Sequence, residues 1–255
     1  MFAFASTLRH SKSTLAWFWF KLTILRNPPA LDSCFFHHNS QLKTSESTSK
    51  ISVEVGQGEA TVPIRPWVHR KVDSIFQKLR IQQNQESPQN HTSSTLLGEQ
   101  LIIAIHVRRG DFTLSINRNR GILPSNELFI RHALQNISEL LIRTAVIEKS
   151  IFMFVSDDPD WCKKKFGNLE RGRKLSSAKV VILGRHHPCV DMHIISRSDI
   201  VVMSASFSTF AWWGAYLGDR PGRLVYYNRQ VLVRNSRLDK EIKISDRFLS
   251  SWIPV

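Results

Sequence analysis

The residues best suited to chemistry are His106, Arg108, Arg109 and Asp111, within LIIAIHVRRGD at 101–111. Each guanidinium is a planar fork of donors that keeps its charge, so the pair suits a phosphate or another anion. The competing reading is that both arginines pair with local carboxylates such as Asp111. A second stretch, SASFSTFAWWGAYL at 204–217, puts Ser206, Ser208 and Thr209 at the start of an expected helix. Backbone N–H groups lack intrahelical partners there and bind anions, although simple capping by Ser208 also fits. A third, FVSDDPDWC at 154–162, carries three acidic residues that suit a metal or a ribose. Capping and solvation are the better reading for Asp157 and Asp160. Fourth, Asp191-Met192-His193 opens a short helix. Asp191 either caps that helix or reaches a nucleotide ring, while His193 reads as structural or exposed. Trp212 and Trp213 read as core packing.

These residues need a scaffold that brings them together, and the hydrophobic pattern supplies one. Residues 101–107 are short, apolar and rich in β-branched side chains, which predicts a buried strand. Strand side chains alternate, so His106 and Arg108 should face one way and Arg109 the other. Further strands are expected at 151–155, 180–183, 200–203 and 223–227. Between them lie helices at 126–144, 190–197 and 209–217, and one after Asp158-Pro159. Ser125 is the expected cap of the first, and Leu128, Phe129, Ala133, Leu134, Ile137, Leu140 and Leu141 its apolar face. Strands alternating with helices imply right-handed βαβ units and a parallel, doubly wound sheet. In such sheets ligands sit at the carboxyl ends of the strands, where Arg108 and Ser204–Ser208 fall. Upstream, Trp67, Val68, Val72, Ile75, Phe76 and Leu79 recur at helical spacing, predicting a helix over 66–82.

Composition narrows the function classes. The chain has 255 residues, a net charge of +14 and 42% hydrophobic residues. Such charge fits a nucleic-acid binder, an enzyme for phosphorylated substrates, or a protein at an anionic membrane. No zinc-finger spacing, basic zipper or RNP pattern is present, so no nucleic acid is expected as a partner. The basic cluster Lys163, Lys164, Lys165, Arg171, Arg173 and Lys174 reads as a solvated face. Cys34, Cys162 and Cys189 show no CxxC spacing, so no metal site is expected, and one pair is free to bridge in an oxidising lumen. Asn90 and Asn136 open glycosylation sequons, weakly favouring the secretory pathway. Residues 15–25 are apolar but interrupted by Lys21, short of the roughly 20 residues of a spanning helix. A degenerate anchor is the expectation, followed by a Ser-, Thr- and Gln-rich linker to residue 60.

The segments HVRRGDF at 106–112, FVSDDPDWC at 154–162, DMHIISRSDIVV at 191–202 and STFAWWGAYL at 208–217 resemble, in this order, galactoside α-1,2-fucosyltransferases. The resemblance covers about residues 65–230. It implies a B-type glycosyltransferase of two Rossmann domains, with GDP-fucose as donor substrate and no cofactor or metal. It further implies transfer with inversion to the 2-hydroxyl of a terminal galactose on a glycan. Animal-like members reside in the Golgi as type II membrane proteins. Arg108 matches the arginine expected to hold the donor diphosphate, and Arg109 and His106 belong to the same motif. Asp191, Ser208, Thr209 and Phe210 match the nucleotide-side segments, with Ser208 and Thr209 toward phosphate. A fixed arginine and helix-end donors would stabilise the charge growing on the GDP leaving group. The acceptor hydroxyl must lose its proton, and Asp111 and His106 are both candidates for the base.

The chain also departs from that family. No glycine-rich segment like GRLGNQ precedes Leu101, and the cysteine common near Ser198 in relatives is absent. The expected layout is therefore an anchor and linker over 1–60, a helical remnant of the acceptor-side domain over 61–97, and a GDP-fucose-binding Rossmann-like domain over 98–255. On this reading the acceptor-side domain is incomplete, and a truncated product or a nucleotide-sugar binder without transfer activity is the alternative. A basic nucleic-acid-binding protein is the further one, on charge alone.

Overall fold

The structure, a computed structural model, describes residues 50–54, 59–86, 100–169 and 178–255. The apolar stretch at 15–25 and the sequon at Asn90 lie outside the described residues. Strands β1 (Lys50–Glu54) and β2 (Glu59–Pro63) pair antiparallel. β1 and the start of β2 occupy ground expected to be linker, and β2 runs on into the segment expected to be helical. The alternation Ile51, Val53 was present but was masked by the polar residues around it.

The helix α1 (Pro66–Glu86) begins at a proline, which suits a first helical position, and runs beyond the expected end. Its Val68, Val72, Phe76 and Leu79 are buried in one cluster with Ile102 and Ala104 of the central strand. The segment expected as a remnant of a second domain thus shares the core of the sheet.

That sheet has six strands, all parallel: β3 (Leu101–Val107), β4 (Ser150–Ser156), β5 (Lys179–Ile182), β6 (Ile200–Met203), β7 (Leu224–Tyr227) and β8 (Ile253–Pro254). Their spatial order is β5-β4-β3-β6-β7-β8. Counted along the chain this is the Rossmann order 3-2-1-4-5-6, and the direction of winding reverses between β3 and β6. The α/β, Rossmann-like parallel sheet expected from the pattern is the observed fold. Of the six strands of this sheet, only β8 had no counterpart among those expected.

Both faces are covered, as a parallel sheet requires. On one, Ile102 and Ala104 meet α1, α5 (Pro188–Arg197) and α6 (Thr209–Leu217). On the other, Ile103, Ile105 and Val107 meet α3 (Glu127–Arg143) and α4 (Pro159–Phe166). The face of α3 differs in detail from expectation: Ile130 is buried, whereas Leu128 is 67% exposed. The segment after Asp111 contains a short helix, α2 (Ser115–Arg120), closed by Gly121 at φ 97°. That left-handed conformation is the usual glycine helix stop. A last short helix, α7 (Arg237–Glu241), precedes β8.

Candidate active site

The loops after β3, β4 and β6 meet at the switch point. At the end of β3 the Arg108 N–H donates to Ser125 Oγ at 2.7 Å, and the Arg108 carbonyl accepts from the Ser125 N–H at 2.9 Å. Ser204, just past β6, donates its hydroxyl to the His106 carbonyl at 2.7 Å. Its oxygen lies 2.7 Å from Ser125 Oγ. A carbonyl only accepts, so the Ser204 proton points to His106 and the Ser125 proton to Ser204. One directional chain, from Arg108 N–H through two buried hydroxyls to the His106 carbonyl, fixes the backbone that carries Arg108. Such chains polarise in series and hold geometry tightly. Ser125, expected to cap α3, is committed here instead. Asn126 caps that helix, accepting from the Leu128 N–H at 2.8 Å.

Beyond the last strand residue, Val107, the two arginines diverge. Arg109 turns to the α4 side, its guanidinium carbon 4.3 Å from the centre of the Trp161 ring. It donates to the Ser125 carbonyl at 3.2 Å and lies 3.5 Å from Asp158. Arg108 stays at the mouth, its side chain 35% exposed, with Asp111 at 2.7 Å and Asp157 at 3.3 Å. Both thus have carboxylate partners, and Arg108 is the more exposed of the two, at 35% against 23%. Asp157 also accepts from the Arg109 N–H at 2.9 Å. A Cβ on Gly110 would lie 2.5 Å from Asp157 Oδ2, so a larger residue would push this carboxylate from its present position. Asp157, read as a cap or solvated group, is therefore a partner of the arginine loop. Asp158 does cap α4, accepting from the Trp161 N–H at 3.1 Å, and Asp160 pairs outward with Lys163.

The remaining candidates sit around this centre. His106 is buried, with its ring centre 5.8 Å from that of Phe210 at the start of α6. Burial, reinforced by the Arg108 charge, lowers its pKa to about 3. A neutral, inaccessible imidazole of that basicity is a poor proton acceptor, whereas Asp111 is nearly half exposed. Ser208 is buried and caps α6, accepting from the Ala211 N–H at 3.4 Å. Thr209 and Phe210 follow in the first turn, where N–H groups are open to an anion. Asp191 lies one helix away, on α5, and faces His186 Nδ1 at 3.3 Å. It does not cap α5; His187 does. His193 is buried between α5 and α1, 3.0 Å from His69 Nδ1. Trp212 stacks on Tyr216 within the aromatic core. Cys162 is a free buried thiol, pushed up to about 11 chiefly by burial.

Residues 76–255 match glycosyl transferase family 11. The chain belongs to that family. The Caenorhabditis elegans protein C06E1.7, named as a glycosyltransferase, is 30% identical over 60% of this chain and 41% of its own length. The O-antigen biosynthesis glycosyltransferase WbnK of Escherichia coli is 22% identical over 59% of this chain and 43% of its own. Galactoside alpha-(1,2)-fucosyltransferase 1 of Aotus azarae is 22% identical over 87% of this chain and 49% of its own. The chain thus spans about half the length of the curated relatives it matches. Among solved structures, the NodZ alpha-1,6-fucosyltransferase soaked with GDP-fucose aligns at a TM-score of 0.31 and 14% identity, covering 61% of this chain and 43% of that one. POFUT1 in complex with GDP-fucose aligns at 0.38 and 12%, covering 65% and 47%.

Three buried groups set the acid response of this family 11 chain. His106 and His193 both fall to about 3 in the fold, mainly through burial, from 6.5. The stability of their neutral forms is complete above pH 6.5 and is lost as pH falls toward 3. Asp191 runs the other way: burial raises it from 3.8 to about 7. Its contribution is complete below 3.8 and is lost as pH rises through 7. Two histidines outweigh one carboxyl, so urea midpoints should fall between about pH 6.5 and about pH 4. Asp191→Asn removes the opposing gain. It should be the more stable protein at about pH 8 and lose stability more steeply on acidification. Parallel curves for the two proteins would show that Asp191 does not titrate near 7.

Proposed function

We propose that this chain acts in fucose transfer from GDP-fucose to the 2-hydroxyl of a terminal galactose, as a galactoside 2-α-L-fucosyltransferase. The observation that carries the reading is Arg108, braced on its backbone side and with its side chain 35% exposed, at the switch point and at the same end of the sheet as the first turn of α6. A diphosphate bound at this end of the sheet would be held by the charged fork and by helix-end N–H groups. Both act more strongly as negative charge gathers on departing GDP, which is the requirement for lowering the barrier. The acceptor hydroxyl attacks the sugar carbon from the opposite face, giving inversion without a metal. Of the two candidate bases, Asp111 has the exposure and His106 does not.

Asp111 is also the closest anion to Arg108, so a diphosphate that takes the guanidinium competes with this carboxylate. Its release on donor binding would leave it available to take the proton. The same reading places the protein in the Golgi membrane with its site in the lumen. Among the described residues no helix is long and apolar enough to cross a membrane.

A second reading is a domain that binds the nucleotide sugar without transferring it. Labelled GDP-fucose with a lactose-type acceptor, with and without EDTA, run beside GDP calorimetry, separates the two. Transfer that survives EDTA is the expected result. Binding without transfer supports the second reading. Absence of both overturns the two together.

A further inference from the structure

Beyond the motifs above, one buried cation is built into the floor of the same site. Arg247 is 7% exposed and lies in the segment between α7 and β8. Its Nη2 donates to the Phe207 carbonyl at 2.8 Å and its Nε to the Ser206 carbonyl at 3.3 Å. The guanidinium carbon sits 4.7 Å from the centre of the Phe207 ring. In return, the Trp212 indole on α6 donates to the Arg247 carbonyl at 2.7 Å. The turn before α6 and the helix itself are thus clasped from beneath by one residue.

We propose that Arg247 is a positioning residue for the donor diphosphate, holding the Ser204–Ser208 turn so that its N–H side and the first turn of α6 face Arg108. The inference rests on the function proposed above. Across a trans peptide the carbonyl and the next N–H point in opposite directions. Two consecutive carbonyls drawn down to Arg247 therefore turn the Phe207 N–H upward and aim the Ser208 N–H back across the turn. The Ser208 N–H closes the turn on the Ala205 carbonyl at 2.9 Å, which sets the angle at which α6 begins. Ser204, at the other end of the turn, is already fixed to His106. With both ends held, the anion-facing side is preorganised and need not be reordered when the donor binds. Burial lowers the Arg247 pKa to about 10, so the group stays charged at neutral pH. Its cation then lies behind the turn and adds to the positive field of the helix end.

The test compares Arg247→Gln and Arg247→Lys with the wild-type chain by calorimetry against GDP, GMP and guanosine, with Tm measured on each. Glutamine should lower GDP affinity by about tenfold or more, GMP affinity less, and guanosine affinity not at all. Lysine keeps the charge but lacks the fork, and should fall between. Equal losses for all three ligands, or none for any, would overturn the positioning role while wild-type GDP binding upheld the donor reading. Should glutamine fail to fold, the graded loss expected of lysine decides. A wild-type chain that binds no GDP would remove the donor reading, and this inference with it.

Discussion

Arg108→Ala should reduce GDP affinity by about 100-fold or more while leaving guanosine affinity unchanged. Hydrogen bonds to a charged partner contribute about 1.5–3 kcal/mol each, and a fork offers two to a diphosphate. At roughly 1.4 kcal/mol per factor of ten, two such bonds amount to at least two decades. Arg108→Lys should recover part of the loss, because lysine supplies the charge as a point and not as a fork. The fold should notice little. The side chain is 35% exposed, so its pairs with Asp111 and Asp157 are screened by water. The backbone chain through Ser125 and Ser204 does not involve the guanidinium. Calorimetry across GDP, GMP and guanosine reads the effect directly. If Arg108→Ala binds GDP as the wild type does, the diphosphate lies elsewhere and the switch-point assignment is wrong.

Local sequence carried this site as far as local physics reaches. The β-branched run 101–107 could only be a buried strand, and it ends at Val107, just before the two arginines. Asp158-Pro159 announced its own cap. The failures share one cause: the deciding partner lies far along the chain. Asp157 finds the Arg109 N–H 48 residues away, and nothing adjacent distinguishes it from a capping aspartate. Ser125 and Asn126 are both cap-competent neighbours. Only the demand from Arg108 and Ser204 settles which of them caps, and that demand is tertiary. Leu128 looked apolar enough for the core, but it lies on the outer side of α3, where helix rotation is set by packing. Arg247 is the extreme case. It is a single basic residue in a basic chain, and its partners, 40 and 41 residues back, are backbone carbonyls that leave no trace in composition.

The largest stability effect should come from the opposite end of the sheet, at Arg223. Helices α5 and α6 run back from the binding edge, and their carboxyl ends converge beside Gly218. Arg223 is 9% exposed there, donating Nη1 to the Ala215 carbonyl at 2.8 Å and Nη2 to the Ile195 carbonyl. Both carbonyls belong to last turns, where intrahelical donors run out and the negative end of the helix dipole lies, and the Ile195 carbonyl accepts the Ser198 N–H at 3.3 Å as well. One buried cation thus satisfies two helices. Gly218 makes the room: a Cβ there would fall 2.1 Å from Arg223 Nη1 and 1.8 Å from the Ser196 carbonyl oxygen. Arg223→Met keeps most of the apolar volume but leaves both carbonyls buried without that donor. The cost should be about 3 kcal/mol, in the range for unsatisfied buried groups. For a domain of this size that is a drop in Tm of about 10 °C. GDP affinity of the folded protein should not change, because the site lies at the other ends of these helices. A Tm within about 2 °C of wild type would mean that water enters and takes over the carbonyls, and that the buried charge contributes no net stability.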